Sequence, residues 1–435
     1  MTSVLPTEWA RLHVLSPIVR SARVLSALAV VVAARQIGPR NGQPLWVDGI
    51  AVVAALIAGL VSWLVTRWRI HNGELQVETG LLRRQSVRLP LTRLQAVDVV
   101  RPLLGRLLGL AEVRVVVAGH GSGHTRLAYL TEQRADEVRA QLLALAHGLD
   151  SATPAPPERP IITVPGARIV AANLTSTPAL VAVAFVVVAM VVTAAAPRAG
   201  AGVFGTAGPL AFLIAAGLAR QIGAEWEFAV AEAPDGLRLR AGLLQTRAET
   251  IPIGRTQAIR LVQPLWWRPL GWVRLEIDVA RRRDHDRAEG ETATTTRALL
   301  PVGTPEQAEW LLQRVLPGAS TVAPPASRPP RRAIVRAPLM WHHLRAWHDG
   351  RYLVCETGRL RRSSVVVPLA KAQSFRWEQG PVSRWLGLAT VHVDTAGRHF
   401  PGAALLRPLS QSVEWIAELP LLARAARRGR ANFDG

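Results

Sequence analysis

Residues Gly80–Leu110 read GLLRRQSVRLPLTRLQAVDVVRPLLGRLLGL, and the same arrangement returns twice further on. Gly242–Trp272 reads GLLQTRAETIPIGRTQAIRLVQPLWWRPLGW, and Gly358–Leu388 reads GRLRRSSVVVPLAKAQSFRWEQGPVSRWLGL. The three segments align without a gap. Gly80, Gly242 and Gly358 open the unit, and Pro90, Pro252 and Pro368 follow. Gln95, Gln257 and Gln373 share a column, as do Arg106, Arg268 and Arg384. Leu108-Gly109, Leu270-Gly271 and Leu386-Gly387 close it, and Arg93, Arg255 and Lys371 keep a cation in one position. Identity at that many columns, three times over, marks three copies of one domain.

The unit reads mostly as strand. Before each opening glycine lies an alternating run: Glu74–Glu78, Gly236–Arg240 and Arg351–Cys355. A period of two predicts a half-buried antiparallel strand. The glycine then sits at a hairpin turn, where a positive φ is useful. A second strand ends at the proline, which cannot donate to a ladder. The glutamine column starts a third strand. The Leu-Gly pair precedes a fourth (Val113–Ala118, Arg274–Val279, Thr390–Asp394), and a fifth such as Thr125–Tyr129 follows. Each copy ends in an amphipathic helix: Thr131–Ala146, a second opened by the capping box Thr304-Pro305-Glu306-Gln307, and Ser410–Leu422, interrupted by Pro420. Ala308, Leu311, Leu312 and Val315 form the apolar stripe of the second.

Composition adds a second theme. Of 435 residues 49% are hydrophobic, and Lys+Arg 52 against Asp+Glu 31 leaves a net charge of +21. Lys371 is the only lysine, a skew that a GC-rich genome explains. Such a chain is too apolar to be disordered throughout. A single cysteine, Cys355, excludes an internal disulfide framework and any multi-cysteine metal site.

Four apolar stretches come as two pairs: Val24–Ala34 (from near Pro17) with Trp46–Val65, and Pro178–Ala196 with Val203–Leu218. Lengths near 20 residues match a bilayer core. Short connections, Arg35–Pro44 and Pro197–Gly202, make each pair a helical hairpin. Two spans in mid-chain and the lack of an Ala-x-Ala site argue against a cleaved signal peptide. Arginines crowd the open ends (Arg11, Arg20, Arg23, Arg67, Arg69, Arg220), which predicts soluble domains on the cytoplasmic side. Trp63, Trp68 and Trp226 flank the spans and suit an interfacial belt.

Several strands closed by one C-terminal helix, carrying the G-L-L…P-L-x-R-x-Q-A columns and the later L-G, resemble the bacterial pleckstrin-homology-like domain of the second type. That domain occurs in YdbS- and YdbT-like membrane proteins, and the YdbT-like ones carry three. Copy three departs most, since Arg359 replaces the leucine after the glycine and no apolar pair precedes it. The expected fold is a multi-domain membrane protein with helical hairpins and three α+β modules, each an antiparallel barrel or sheet with a C-terminal helix. The expected layout is a hairpin (1–66), a first domain (67–150), a linker (151–173), a hairpin (174–222), a second domain (223–318), a linker (319–332), a third domain (333–425) and a basic tail (426–435). The resemblance implies a multi-pass plasma-membrane protein, a complex with a smaller single-domain relative, and a role in envelope stress or resistance to membrane-active agents.

No catalytic, cofactor-binding or metal site is expected, and the chain does not read as an enzyme. The Gly119–His124 run joins two strands with no helix to receive a phosphate. His342, His343 and His348 lack helical spacing and an acidic companion. Asp284–Asp286, with Glu289 and Glu291, reads as a solvated loop, and Cys355 as packing. The candidate contact residues are Arg93, Arg106, Arg255, Arg268, Lys371, Arg384, Trp266 and Trp267. The cations suit either anionic lipid headgroups or the turns of the fold itself. The tryptophans suit either a membrane surface or a protein partner. Nucleic acid is not expected, because the charge is spread out and no reader motif is present. Two rival classes remain: a hydrolase hidden in the loops, using His120, His124, Asp284 and Asp286, and a subunit of a transport or export assembly. The transport class would rest on Asp48, the one charge well inside a clear span.

Overall fold

A computed structural model describes residues 9–11, 16, 45–71, 74–79, 85–91, 94–117, 124–146, 159–195, 197–233, 236–251, 253–279, 297–397 and 399–431. In chain order the elements begin with β1 (Ala10–Arg11), α1 (Leu45–Val65), β2 (Arg67–His71), β3 (Glu74–Thr79), β4 (Gln85–Pro90) and β5 (Leu94–Arg101). Next come α2 (Leu103–Leu107), β6 (Leu110–Val117), β7 (His124–Thr131), α3 (Glu132–Ala146), β8 (Arg159–Val164), α4 (Gly166–Leu174), α5 (Thr177–Ala195) and α6 (Pro197–Glu225). The middle of the chain holds β9 (Phe228–Ala233), β10 (Gly236–Ala241), β11 (Thr246–Ile251), β12 (Thr256–Pro264), β13 (Val273–Val279), β14 (Arg297–Gly303) and α7 (Pro305–Val315). The last part holds β15 (Arg345–His348), β16 (Tyr352–Thr357), β17 (Arg361–Pro368), β18 (Ala372–Glu378), α8 (Pro381–Trp385), β19 (Leu388–Thr395), β20 (Gly402–Pro408) and α9 (Leu409–Ala431). Two compact units result, Met1–Arg159 with Glu232–Ile251 and Pro160–Ala231 with Pro252–Gly435.

In the first unit, β1-β2-β3-β4 form one antiparallel sheet. The strands β7-β6-β5-β11-β10 continue in a second order, so β5 of copy one pairs with β11 of copy two. The alternation that predicts β3 buries Leu75 and Val77 on the face that meets Val97, Val113, Val138 and Leu142. Trp68 belongs to that core as well, which corrects its assignment to an interfacial belt. It lies on the strand that opens the copy, where alternation points it inward.

In the second unit, six strands run β14-β13-β12-β17-β16-β15, and β18-β19-β20 form a separate three-stranded sheet. Here β12 of copy two pairs with β17 of copy three. The core gathers Leu353, Cys355, Val367, Val391 and Phe400 under Trp415 and Leu419 of α9. The capping box forms as expected: Thr304 Oγ1 accepts from the Gln307 N–H at 3.3 Å, and Gln307 Oε1 accepts from the Thr304 N–H at 3.1 Å. All four residues of the expected stripe on α7 are buried.

Several expectations change. Residues 159–173, expected within a linker, form β8 and nearly all of α4, where Ile162, Val164 and Ile169 are buried. The linker after copy two is anchored as well, since Arg407 Nη1 donates to Ser327 O at 2.7 Å. Helix α9 runs through Pro420 to Ala431. Among the described residues Thr177–Ala195 alone is long and apolar enough to cross a bilayer, so four crossings are not supported. The expected span Val203–Leu218 and the loop before it are one helix, α6, rich in glycine and alanine, with Pro197 at its first position. Helices α5 and α6 pack along each other. The span before Arg35 lies outside the described residues.

Candidate functional site

The repeated columns converge on the turn between the third and fourth strands of each copy. Gly109, Gly271 and Gly387 have φ of 65°, 62° and 59°, the left-handed conformation that favours glycine. In each, the glycine N–H donates to the carbonyl of the repeated arginine: Gly109 to Arg106 at 3.3 Å, Gly271 to Arg268 at 3.1 Å and Gly387 to Arg384 at 3.0 Å. That bond closes a short helical turn and aims the arginine outward from it. The Leu-Gly column therefore encodes a turn, and the arginine column rides on it.

The outcome for the arginine depends on the next copy. Arg106 Nη1 donates to Leu243 O at 3.2 Å, and Arg268 Nη2 donates to Arg359 O at 2.6 Å. Leu243 and Arg359 occupy the same column, the residue after the opening glycine of the following copy. The opening glycines of copies two and three are forced by their turns. Gly242 and Gly358 have φ of 123° and 95°, and a Cβ on either would stand 2.0 Å from the carbonyl oxygen three residues on. Thus one copy's Arg turn clamps the next copy's Gly hairpin. Arg384, in the last copy, is exposed and makes no side-chain hydrogen bond or ion pair among the described residues.

The other cation column behaves differently. Arg255 and Lys371 end short 3-10 turns after their strands, and neither is a free cation. Burial pushes the Arg255 guanidinium below its ordinary value. Arg93 lies outside the described residues. Trp266 and Trp267 separate: Trp266 is exposed, whereas Trp267 is buried, donates from Nε1 to Thr175 Oγ1 at 3.1 Å and meets Trp272 edge to face. The repeated Gln257 is a local brace, donating to Arg255 O at 3.1 Å. In copy three Trp377, Val382 and Trp385 are all exposed near Arg384.

A buried ion network, not anticipated from the sequence, lies beside the β12–β17 junction. The Glu276 carboxylate accepts from Arg260 Nε at 2.7 Å and Arg274 Nε at 2.9 Å. Arg274 Nη1 also reaches Glu225 Oε2 at 3.1 Å. Burial works to raise the Glu276 carboxyl, but the two guanidinium groups outweigh it and hold it below its ordinary value. Arg260 and Glu276 face each other across the β12–β13 register, a pairing that the sequence alone does not display.

No group of three or more His, Cys, Asp or Glu that would hold a metal occurs among the described residues. Burial pushes the Cys355 thiol up to about 12, against the pull of Arg407, which marks an inert packing residue. The glycine-histidine run 119–123 and the acidic loop 284–291 lie outside the described residues.

No curated protein and no solved structure matches the chain. The family model described as Bacterial PH domain matches three times, over residues 18–146, 166–316 and 297–419. Those matches fall on the three copies found by alignment, and together they span most of the sequence. The chain belongs to the bacterial PH domain family and carries three such domains in series.

Proposed function

We propose that this protein is a non-enzymatic scaffold that displays its PH-like domains at the cytoplasmic face of a bacterial plasma membrane, where they engage protein partners and anionic lipid. The observation that carries this reading is the coupling of three interaction modules to an apolar anchor in one chain. Helix α5 bears no charge and presents Val181, Val183, Val187, Val188, Met190 and Val191 outward, a surface with no reason to face water. Helix α1 likewise exposes Val53, Ile57, Leu60 and Leu64. The net charge of +21 suits an anionic leaflet, near which each basic residue gains about 1 kcal/mol. A role in envelope stress, and a complex with a single-domain relative, rest on the family resemblance.

The test is fractionation and protease accessibility of the whole chain in its native host. The protein is expected to stay with membranes through an alkaline carbonate wash. Its domains are expected to resist protease added to intact cells and to be digested in inverted vesicles. Release by carbonate would refute the anchor, and digestion from outside would refute the orientation. The whole chain is needed because strands of one copy pair with strands of the next.

A further inference from the structure

The two junctions between copies share one register. In the first, Arg101, Val100 and Val99 of β5 face Thr246, Arg247 and Ala248 of β11. In the second, Gln263, Val262 and Leu261 of β12 face Arg362, Ser363 and Ser364 of β17. By repeat column these are the same three pairs. Each of the first two modules therefore receives the first hairpin of the following module along its third strand, and its repeated arginine holds the hairpin turn.

The third module has every receiving part. It has the strand β18, the left-handed Gly387 and Arg384. Yet β18 is an outer strand of β18-β19-β20, and among the described residues nothing pairs with its far edge. The exposures follow. Val97 and Ile259 are fully buried at the column where Phe375 is only half-buried. Val100 and Val262 are buried where Glu378 is exposed, and Trp377 is 43% exposed. At the other end of the series, β4 is the outer strand of β1-β2-β3-β4, a donor hairpin with no receiving strand among the described residues.

We propose that β18 of one chain receives the β3–β4 hairpin of a second copy, so that the series continues from chain to chain. The inference is independent of the membrane reading, because it rests on strand geometry alone. Continuity with the two existing junctions selects this occupant. Among the described residues there is one surplus receiving edge and one surplus donor of the same module type. Main-chain hydrogen bonds would supply the affinity. Arg384 would supply the turn contact that Arg106 and Arg268 make in the first two junctions. Carrying the register over sets Glu378 opposite Gln85, Trp377 opposite Ser86 and Arg376 opposite Val87. A bare, tryptophan-bearing edge left unpaired would be an aggregation hazard. Such a head-to-tail contact closes a ring or extends a chain.

Cysteine trapping in the full-length protein tests this. Cys355, the only native cysteine, is buried, so background coupling is low. Trp377→Cys with Ser86→Cys, oxidised mildly in intact host cells, is expected to give reducible multiples of the 47.1 kDa chain. Neither single variant is expected to do so. Adding Arg384→Ala is expected to lower the yield about fivefold, the net worth of one ordinary solvent-exposed hydrogen bond. Leu261→Cys with Ser364→Cys, the same columns within β12–β17, is the positive control and is expected to close inside one chain. If the control closes while the intermolecular pair does not, the proposal is refuted. Coupling by Trp377→Cys alone would show two β18 edges meeting, or another protein seated there. A disulfide within a single chain would show closure on itself. Either result overturns the proposal.

Discussion

Glu276 shows how a single side chain can govern a junction. Its side chain is 3% exposed, and it neutralises Arg260 and Arg274, which lie on paired strands. Burying a carboxylate is costly unless good partners surround it, and removing it strands Arg260 while leaving Arg274 to Glu225 alone. Glu276→Gln is therefore expected to destabilise the second unit by about 3 kcal/mol at pH 7, read by urea unfolding of the purified whole chain. The pH dependence follows from the sign of its shift. The folded carboxyl lies below its ordinary value of 4.5, so its contribution is complete above that pH and is lost as pH falls through the lower folded value. Wild type should weaken through this acid range more steeply than the Gln variant, and parallel curves would contradict the account. This network was not legible in the sequence, because a charged residue on a strand reads the same in water or in a network. Glycines were legible for the opposite reason. A turn with φ of 95° and a carbonyl 2.0 Å from any Cβ admits almost nothing else, so Gly358 announces its conformation.

At the level of elements, strands and capped helices followed from local chemistry. Period-two runs became β3, β10 and β16, and Thr304 with Gln307 became a capping box. Pairing between copies was hidden, since strand edges offer backbone groups that every residue carries alike. The run Arg159–Val164 did carry a signal, an alternation ending in Ile162 and Val164, yet its proline and its Pro-rich approach suggested a linker. Trp68 misled in the same way, because a tryptophan beside an apolar helix suits a bilayer surface as well as a core. Of the candidate contacts, the arginine column proved to be a clamp. Arg268→Ala should remove its bond to Arg359 O and weaken the β12–β17 junction by about 1 kcal/mol. Amide exchange of Thr256–Pro264 should speed up about fivefold, while that of β19 and β20 should not change. Uniform acceleration everywhere would mean that the arginine supports the fold at large.

Across the whole molecule, strand exchange between neighbours makes modules interdependent. Copy two without copy three would expose β12, whose residues Ala258, Ile259 and Val262 are buried at present. A chain ending after residue 330 is accordingly expected to aggregate or lose cooperative unfolding in its second unit, seen as a broadened calorimetric transition. A sharp transition in the truncated protein would show self-sufficient modules. The same arrangement constrains how the protein is made. A ribosome delivers residues 94–101 long before residues 246–251 that cover them, and the apolar segment 177–225 emerges in between. For that interval the early edge stands bare, so the nascent chain must shelter it until residues 246–251 arrive or it meets wrong neighbours.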